Sequence, residues 1–458
     1  MSFRSYLFSI GFTFLFLVSS CFKPTQVNEK PAIVTLKKIQ TRGILNAVTI
    51  KSSTSYFIYK GIPLGFHYEL LKKFTGELGV KLNITTVSNL NEAFELINSG
   101  TCDLIAFDLT ITDERKEFLN FSVPLYQSEE VIVYRKNDNN PLNDNNKRQF
   151  DIHVPAQSSF VSTLNKLRDE MKISIIEENN FLQEDLIKKV ASGEISCTMA
   201  DRHIAELLSK ELGNITFSKV GNQITSYAWA VNKNSVLFLN EINKWLSEFK
   251  TTSLFRYWYR KYYQSPEIQK FIDKYLTSSS SKSISKHDAL IKKYAKEINW
   301  DWRLLAALIY QESQFQENLT SRKGAFGLMQ MMPVTAKNFG IDTLSGVESQ
   351  IRAGVKYIRY LDKCFNMIAD SSERIKFILA SYNSGPGHVF DAMRLAEKYK
   401  KNKFYWDNNV DSFMLKKAYP KYYRDPVVRH GYSRGYESFK FVNEVIERYL
   451  HYKNFLPA

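Results

Sequence analysis

Cysteine and histidine are scarce in this chain, with four and seven residues among 458. Besides Cys21, the cysteines are Cys102, Cys197 and Cys364, and each lies in an apolar or helical context. An odd number in such contexts indicates buried free thiols rather than a disulfide framework. No group of cysteines and histidines has the spacing of zinc ligands, so we expect no metal and no cofactor.

Long hydrophobic segments are also lacking, because the marked apolar run from Tyr6 to Val18 is short for a membrane span. It follows Arg4 and suits the core of a signal peptide. The next segment, Ser19-Ser20-Cys21, resembles a bacterial lipoprotein box, which implies acylation of Cys21 after cleavage. We therefore expect a cell-envelope lipoprotein that is anchored in the outer membrane by lipid and faces the periplasm. An ordinary signal peptide with an incidental cysteine is the alternative.

Acidic residues are too few to balance the basic ones, and the formal net charge is +15. A charge of this size is typical of nucleic-acid-binding proteins, but an export signal argues against that partner. A basic surface suits the anionic cell wall or phospholipid headgroups equally well. We therefore expect no nucleic acid among the partners.

What the sequence does contain is a carboxylate on the apolar face of a predicted helix. Asp301 predicts the N-cap of this helix, and Glu312 extends its apolar stripe by one turn. The stripe consists of Leu304, Leu305, Leu308 and Ile309. Burial raises the pKa of a glutamate, as a proton donor working near neutral pH requires. A salt-bridged helix glutamate is the alternative.

Two further motifs follow this helix. Residues 324–333 are punctuated by glycine and rich in Met and Gln, and residues 380–387 form a polar turn entered by a Tyr and an Asn. With Tyr310-Gln311-Glu312-Ser313-Gln314-Phe315, these blocks resemble in sequence and order the goose-type-lysozyme-like domain of the lytic transglycosylases. The resemblance runs from about Ile284 to the C-terminus and implies a mainly α lysozyme-like domain.

The resemblance implies roles for individual positions in the first two blocks. Glu312 matches the single catalytic acid/base. Ser313 matches a neighbour that helps to orient the carboxyl group or the sugar. Met329 and Gln330 match the segment that lines the sugar cleft.

The third block and the last helix complete the comparison with that family. Tyr382 and Asn383 match the pair that faces the scissile bond, Tyr382 as a catalytic residue and Asn383 as a substrate-binding one. One position departs from the pattern, because Phe441-Val442 stands where such domains often carry Tyr before Val. A hydroxyl group is therefore missing there.

The implied substrate is peptidoglycan, whose glycan strands are cleaved at the β-1,4 bond between N-acetylmuramic acid and N-acetylglucosamine. Conventional glycosidases need two carboxylates at the bond. The motif blocks offer no second one, since Asp301 predicts a cap and Glu317 a loop charge. A lytic transglycosylase needs only one, because the 6-hydroxyl of the sugar attacks and leaves a 1,6-anhydro end. A hydrolytic muramidase, in which water attacks, is the alternative.

Upstream, between about Val34 and Ser265, strand patterns alternate with helix patterns. Residues 44–50 are strand-like, and a helical stripe from Phe66 to Leu78 closes at Gly79. Further strands are predicted at residues 104–107, 131–134, 173–176 and 227–231. This alternation predicts an α/β module with parallel sheets, long enough for two lobes.

Three segments of this module resemble the extracytoplasmic solute-binding proteins that bind amino acids. They are Gly-Phe-His-Tyr-Glu-Leu at 65–70, the series from Asp103 to Arg115, and Phe-Ser-Val-Pro-Leu-Tyr at 121–126. The resemblance implies an α/β bilobed, periplasmic-binding-protein-like fold. It also implies an amino acid or a muropeptide as the ligand.

The same resemblance implies a clamp for a zwitterion. In that family, an arginine after a double-threonine segment binds the α-carboxylate of the ligand. The segment starts at Thr110 in this chain, and the matching arginine is Arg115. A planar guanidinium suits two-point carboxylate binding. Asp201 matches the acidic residue that meets the α-amino group. For Arg115 the alternative is a surface ion pair with Glu114 or Glu117.

A small-hydroxyl turn completes the implied ligand site. Ser158 and Ser159 match this turn, although Gln157 stands where glycine is common. Close approach of the backbone to a ligand is therefore in question at Gln157.

The predicted order of the chain is a signal peptide at 1–20, a tether at 21–37, an amino-acid-binding-like module at 38–264, a Ser-rich linker at 265–284 and a lytic transglycosylase domain at 285–458. Two functions are compatible with this order. One is an enzyme whose upstream module binds a ligand and regulates cleavage; the other is a solute receptor with a lysozyme-like tail that only holds glycan. The intact set of Glu312, Gln330 and Tyr382-Asn383 favours the enzyme.

Overall fold

The computed structural model describes residues 34–59, 61–138, 140–141, 150–168, 173–265 and 283–456. The predicted signal peptide, the predicted lipidation site Cys21 and most of the predicted Ser-rich linker lie outside these ranges. Within them, no helix combines the length and the apolar character needed to cross a membrane.

Strands and helices alternate through the first module, which confirms its predicted α/β class. Its strands are β1 Ile44–Ile50, β2 Phe57–Tyr59, β3 Ile62–Leu64, β4 Lys81–Val87, β5 Leu104–Thr110, β6 Leu119–Phe121, β7 Tyr126–Arg135, β8 Phe150–Pro155, β9 Ile173–Glu178, β10 Cys197–Asp201 and β11 Ile215–Asn232. Its helices are α1 Leu36–Arg42, α2 Phe66–Leu78, α3 Leu90–Asn98, α4 Asp113–Lys116, α5 Ser159–Leu167, α6 Gln183–Ser192, α7 Arg202–Leu212, α8 Val236–Phe249 and α9 Ser253–Tyr263.

The strands form a mixed sheet that is shared by two lobes. The main path is β4-β1-β5-β11-β7-β10-β8-β9, and β6 pairs with β11. In the first lobe β1 is parallel to β4 and β5, and in the second lobe β8 is parallel to β9 and β10. The long strand β11 runs antiparallel to β5 and β7 and links the lobes. The prediction of parallel sheets is therefore corrected to a mixed sheet.

Local sequence signals account for several elements of this module. Strand β1 occupies the predicted residues, with an alternating and then continuous pattern of burial. Helix α2 ends where Gly79 adopts a left-handed φ of 68°, a conformation that glycine reaches without steric cost. The other four predicted strands lie within β5, β7, β9 and β11. Cys102 and Cys197 are buried, Cys364 is half-buried, and all three are free thiols.

Two residues of the predicted tether contact the first module. Val34 is buried, and its backbone N–H donates to Ser235 Oγ at 3.1 Å. The side chain of Thr35 caps helix α1. Val34 and Thr35, within the range predicted as a tether, thus contact the module.

The second module is built of helices around one apolar core, as predicted. The helices are α10 Asp288–Lys296, α11 Trp302–Ser313, α12 Pro333–Asn338, α13 Val347–Cys364, α14 Ser371–Ser384, α15 Pro386–Lys398, α16 Asp411–Lys416, α17 Pro420–Tyr423 and α18 Gly435–Phe455, with an irregular turn at Trp406–Val410. Helix α11 is buried along most of its length and packs against α10 and α18.

The hairpin formed by β2 and β3 docks the first module on the helical one. At its turn, Gly61 has a φ of 78°, and a Cβ atom there would lie 2.6 Å from the ring of Tyr310 on α11. Arg448 on α18 donates to the Gly61 carbonyl at 2.7 Å and lies 3.9 Å from the Tyr310 ring centroid. Nearby, Tyr56 Oη and His451 Nδ1 are 2.5 Å apart. The first module therefore contacts helix α11 directly.

Candidate functional site

Helix α11 places Glu312 at a half-buried position near its C-terminal end. Burial raises the pKa of its carboxyl group to about 8. A glutamate with this pKa is mostly protonated at neutral pH and can donate its proton. None of the salt bridges within the described ranges involves Glu312, so the alternative of a salt-bridged helix glutamate does not hold.

The two acidic residues that the sequence offered as alternatives, Asp301 and Glu317, have structural roles, as predicted. Asp301 caps α11 by accepting a hydrogen bond of 2.9 Å from the backbone N–H of Arg303. Glu317 forms an ion pair of 2.6 Å with Lys286. Neither is therefore placed to act as a second carboxylate beside Glu312.

The backbone is strained where helix α11 ends, two residues after Glu312. Gln314 and Phe315 have φ values of 51° and 61°, in the left-handed region that residues with a side chain seldom adopt. Strain of this kind is maintained only where the surrounding structure enforces it, and it clusters at active sites. The sharp end of α11 thus leaves Glu312 in the last turn of a rigid helix.

Tyr382 on α14 connects the motif at residues 380–387 to the motif at residues 324–333 by a hydrogen bond. Its hydroxyl group donates to the carbonyl of Met329 at 2.9 Å. Burial raises its pKa well above the usual range, and the nearby carboxylate of Glu312 adds to the shift. Tyr382 is therefore a neutral hydroxyl close to Glu312.

The glycine-punctuated loop is held by its own side chains. Gln330, with a φ of 44°, donates through Nε2 to the carbonyls of Leu319 at 2.9 Å and Gly327 at 2.8 Å. The side chain of Met329 is only 1% exposed and packs against Gly354. Met329 was expected to line the sugar cleft, but the structure places its side chain in the core, so only its backbone is near the site.

Asn383 follows Tyr382 and is exposed. Its side-chain oxygen accepts a hydrogen bond of 2.9 Å from Ser438 Oγ on α18, which leaves the amide nitrogen as the donor group. No sequence motif marks Ser438, because it lies on a different helix that meets α14 only in the folded domain.

Two other predicted positions lie inside the helical core. Ser313 is 1% exposed, and its hydroxyl donates to the carbonyl of Ile309 at 3.2 Å rather than to Glu312. Phe441, at the position where the family often has Tyr, is buried among apolar side chains. A phenylalanine leaves no unpaired hydroxyl there, so the departure from the pattern fits the packing.

A separate cavity lies between the two lobes of the first module and contains the predicted clamp residues. Arg115 is buried, and it donates to the carbonyl of Thr110 at 2.9 Å and to that of Gln157 at 3.0 Å. Burial lowers the pKa of Arg115 to about 10, so it stays charged at neutral pH. The alternative of a surface ion pair with Glu114 or Glu117 does not hold, because the side chain is buried and bonds to carbonyl groups.

The remaining predicted ligand residues line the same cavity. Ser159 Oγ lies 3.3 Å from Thr110 Oγ1, which joins the second lobe to the first. The hydroxyl of Ser158 is buried without a hydrogen-bond partner among the described residues. Asp201 accepts hydrogen bonds from Tyr227 and, at 2.9 Å, from Gln183. All the predicted module residues are thus brought together.

Comparison with known proteins matches both modules in the same order. The family of bacterial extracellular solute-binding proteins, family 3, matches residues 48–265, and the Transglycosylase SLT domain matches residues 289–405. The membrane-bound lytic murein transglycosylase F of Desulfosudis oleivorans is 31% identical over 90% of this chain and 91% of its own length. The chain belongs to the membrane-bound lytic murein transglycosylase F family. It is thus a peptidoglycan-cleaving transglycosylase with a solute-binding module, as both resemblances implied.

A second relative and a solved structure are also similar to this chain. The protein of that name from Aliivibrio fischeri is 32% identical over 95% of this chain and 87% of its own length. Among solved structures, an amino acid ABC transporter substrate-binding protein from Streptococcus pneumoniae bound to L-arginine covers 51% of this chain and 98% of its own, with 19% identity and a TM-score of 0.45.

Proposed function

We propose that Glu312 is the single acid/base of the transglycosylase reaction. It first protonates the glycosidic oxygen between N-acetylmuramic acid and N-acetylglucosamine, and the bond to the anomeric carbon breaks. As a carboxylate, it then accepts the proton of the muramic 6-hydroxyl, whose oxygen forms the new bond to that carbon. The product is a 1,6-anhydro end, and no water is consumed. The observation that supports this assignment is the pKa of Glu312, which burial raises to about 8.

The residues around Glu312 receive supporting roles in this proposal. Tyr382 and Asn383 contact the sugars at the scissile bond, Tyr382 through its neutral ring and hydroxyl and Asn383 through its amide nitrogen. Gln330 keeps the loop at the cleft in its strained shape. Ser313 acts from the core by fixing the last turn of α11.

A digestion assay with purified sacculi tests the assignment of Glu312. Glu312→Gln keeps the shape of the side chain but removes the transferable proton, so we expect digestion to fall at least about a hundredfold. Glu317→Gln is the matched control, because Glu317 is a half-buried loop charge on the same segment and pairs with Lys286. Retained activity in a folded Glu312→Gln protein would contradict the role.

Product analysis separates the transglycosylase from a hydrolytic muramidase. Mass spectrometry should find muramic ends that are one water lighter than the products of hydrolysis. Reducing muramic acid ends would instead support the muramidase alternative.

We also propose that Cys21 carries a lipid that anchors the protein in the outer membrane, with both modules in the periplasm. The apolar run before Ser19-Ser20-Cys21 and the names of the membrane-bound relatives support this location. Cys21→Ser should leave the exported protein unacylated and in the soluble fraction. Equal incorporation of labelled palmitate by the variant would place the lipid elsewhere.

The first module, proposed to span about residues 38–264, is assigned an amino acid or a wall-derived peptide as ligand. Buried Arg115 supports this assignment, because it bonds to two carbonyls and keeps further N–H donors for a carboxylate. A ligand that binds only the native state should raise the melting temperature. We expect this shift in the wild type and its loss in Arg115→Ala. No shift with any amino acid or wall peptide would remove the proposed binding function.

A further inference from the structure

The cavity between the lobes is of a size for a small molecule. Its volume is about 110 Å³, and the lobes meet around it. Ser53 of the first lobe donates to Glu184 of the second at 2.7 Å, and Arg115 donates to the Gln157 carbonyl at 3.0 Å. These contacts bound the cavity on two sides, and next to Arg115 it adjoins a larger cleft that Gln157 also lines.

Carboxylates predominate among the charged side chains that line this cavity. Arg115 is the cation, whereas Asp108, Glu178, Glu184 and Asp201 contribute carboxyl groups. Glu184 and Asp201 are 7% and 3% exposed, respectively, so water solvates them poorly. One guanidinium is already assigned to the α-carboxylate of a ligand, and the described lining of the cavity holds no further lysine or arginine whose charge would match the acidic groups.

The histidine next to Asp108 does not supply that charge. The indole N–H of Trp229 can only donate, and it lies 2.9 Å from His67 Nδ1, which must therefore accept. The His67 proton then sits on Nε2, which donates to Asp108 at 2.5 Å, and the ring is neutral. His203 is neutral as well, because burial lowers its pKa to about 4. Asp108 thus keeps a net negative charge.

Asp201 and Glu184 have raised pKa values, mainly because both groups are buried. Burial raises the pKa of Asp201 to about 7, and the charges of Asp108 and Glu130 add to the shift. Burial also raises the pKa of Glu184, although Lys188 and Ser53 oppose this shift. A cation in the cavity would favour the ionised form of both groups.

We propose that the cavity binds an amino acid with a cationic side chain, of the lysine or arginine class. Its carboxylate is bound by Arg115, its α-amino group by Asp201, and its side-chain cation by Asp108 and Glu184. The assignment rests on the proposed amino-acid-binding function and adds the ligand class. The same side-chain amine occurs in free lysine and in wall peptides that contain a diamino acid.

Titration calorimetry on the full-length protein tests the ligand class with pairs of similar shape. Arginine and citrulline differ in charge but hardly in size, and so do lysine and norleucine. We expect the cationic member of each pair to bind at least about tenfold more tightly. Equal or tighter binding of citrulline and norleucine would overturn the cationic class but keep amino-acid binding. No binding of any of the four, or of a lysine-containing wall tripeptide, would remove the proposed function itself.

Variants with a neutral side chain show which carboxylates make arginine bind more tightly than citrulline. Asp108→Asn and Glu184→Gln should each bring the affinities for arginine and citrulline closer by about tenfold, with citrulline binding nearly unchanged. Glu206→Gln, a half-buried carboxylate outside the cavity lining, should keep the wild-type ratio of the two affinities. If Asp108→Asn does not fold, the ratio of the two affinities in Glu184→Gln, on the second lobe, still tests the proposal. Wild-type discrimination in a folded Glu184→Gln protein would overturn the assignment of this residue to the cation.

A lysine-containing wall tripeptide distinguishes the two sources of the amine. Tighter binding of the tripeptide than of free lysine would identify the wall peptide as the ligand. The reverse order would identify the free amino acid. Either order keeps the cationic class, because both ligands carry the same side-chain ammonium group.

Discussion

At the scale of the residue, the protonation of Glu312 should set the pH range of activity. The proposed first step needs the protonated carboxyl group, and burial raises its pKa to about 8. We therefore expect kcat/KM for a soluble glycan substrate to fall as pH rises through about 8. Initial rates between pH 5 and pH 10 measure this decrease in kcat/KM. A decrease centred near pH 4.5 would instead mean that the carboxyl group is solvated in the working enzyme.

The same carboxyl group should reduce stability as pH rises. Its pKa is higher in the folded state than the usual 4.5, so the native state binds the proton more tightly than the unfolded chain. Stability contributed by this proton is present below pH 4.5 and is lost as pH rises through about 8. We expect Glu312→Gln to be more stable than the wild type by on the order of 1 kcal/mol at pH 9, and to lose this advantage near pH 4.

Urea unfolding at the two pH values measures this difference. Glu317→Gln should show no such gain at pH 9, because its ion pair with Lys286 lowers the pKa of Glu317. An equal pH dependence in both variants would indicate a general charge effect rather than burial of Glu312.

Ser438 should position Asn383 without touching the substrate. Ser438→Ala removes the donor that fixes the Asn383 side-chain oxygen, so the amide can rotate. We expect kcat/KM to fall by about 3–10-fold, mostly through kcat, with little change in melting temperature. Ser384→Ala is the matched control, because its hydroxyl donates to the carbonyl of Ala380 on the same helix, and no other partner is found for it among the described residues. Identical losses in both variants would exclude the positioning role.

At the scale of the element, features set by neighbouring residues could be predicted from the sequence, whereas the pairing of distant strands could not. The cap at Asp301 and the stop at Gly79 each depend on a few neighbouring residues, and both were confirmed. The direction of β11 depends on partners more than a hundred residues away, so alternation of strands and helices could not predict it. The core position of Met329 likewise depends on Gly354 of helix α13. Motif matching placed Met329 near the cleft but could not orient its side chain.

The docked hairpin gives a prediction about close packing. Gly61→Ala places a Cβ atom against Tyr310, whereas Gly213→Ala has a similar positive φ but nothing within 4 Å. We expect both to lose about 1 kcal/mol from backbone strain, and Gly61→Ala to lose about 1–3 kcal/mol more. The difference in stability loss between the two variants, measured by thermal unfolding, gives the cost of the contact with Tyr310. Equal losses would show that the hairpin does not press on helix α11 in solution.

At the scale of the whole molecule, sequence patterns predicted the order of the modules but not their contact. The match of both families predicted a binding module followed by an enzyme domain. Nothing in either pattern predicted that Arg448 of the last helix would join Gly61 to Tyr310, because each residue belongs to a different segment. The predicted Ser-rich linker left open whether the modules touch, and the described residues show that they share an interface.

That interface implies that the peptide connection between the modules acts mainly by raising their effective concentration. A protease site introduced within residues 266–282 would give two fragments that still share the contacts of Gly61, Tyr56 and Asn454 with the opposite module. We expect the cut protein to elute as one complex at micromolar concentration and to separate only on dilution. Arg448→Ala should make the cut fragments separate at higher concentration, while the uncut variant stays a single chain with its modules held near each other.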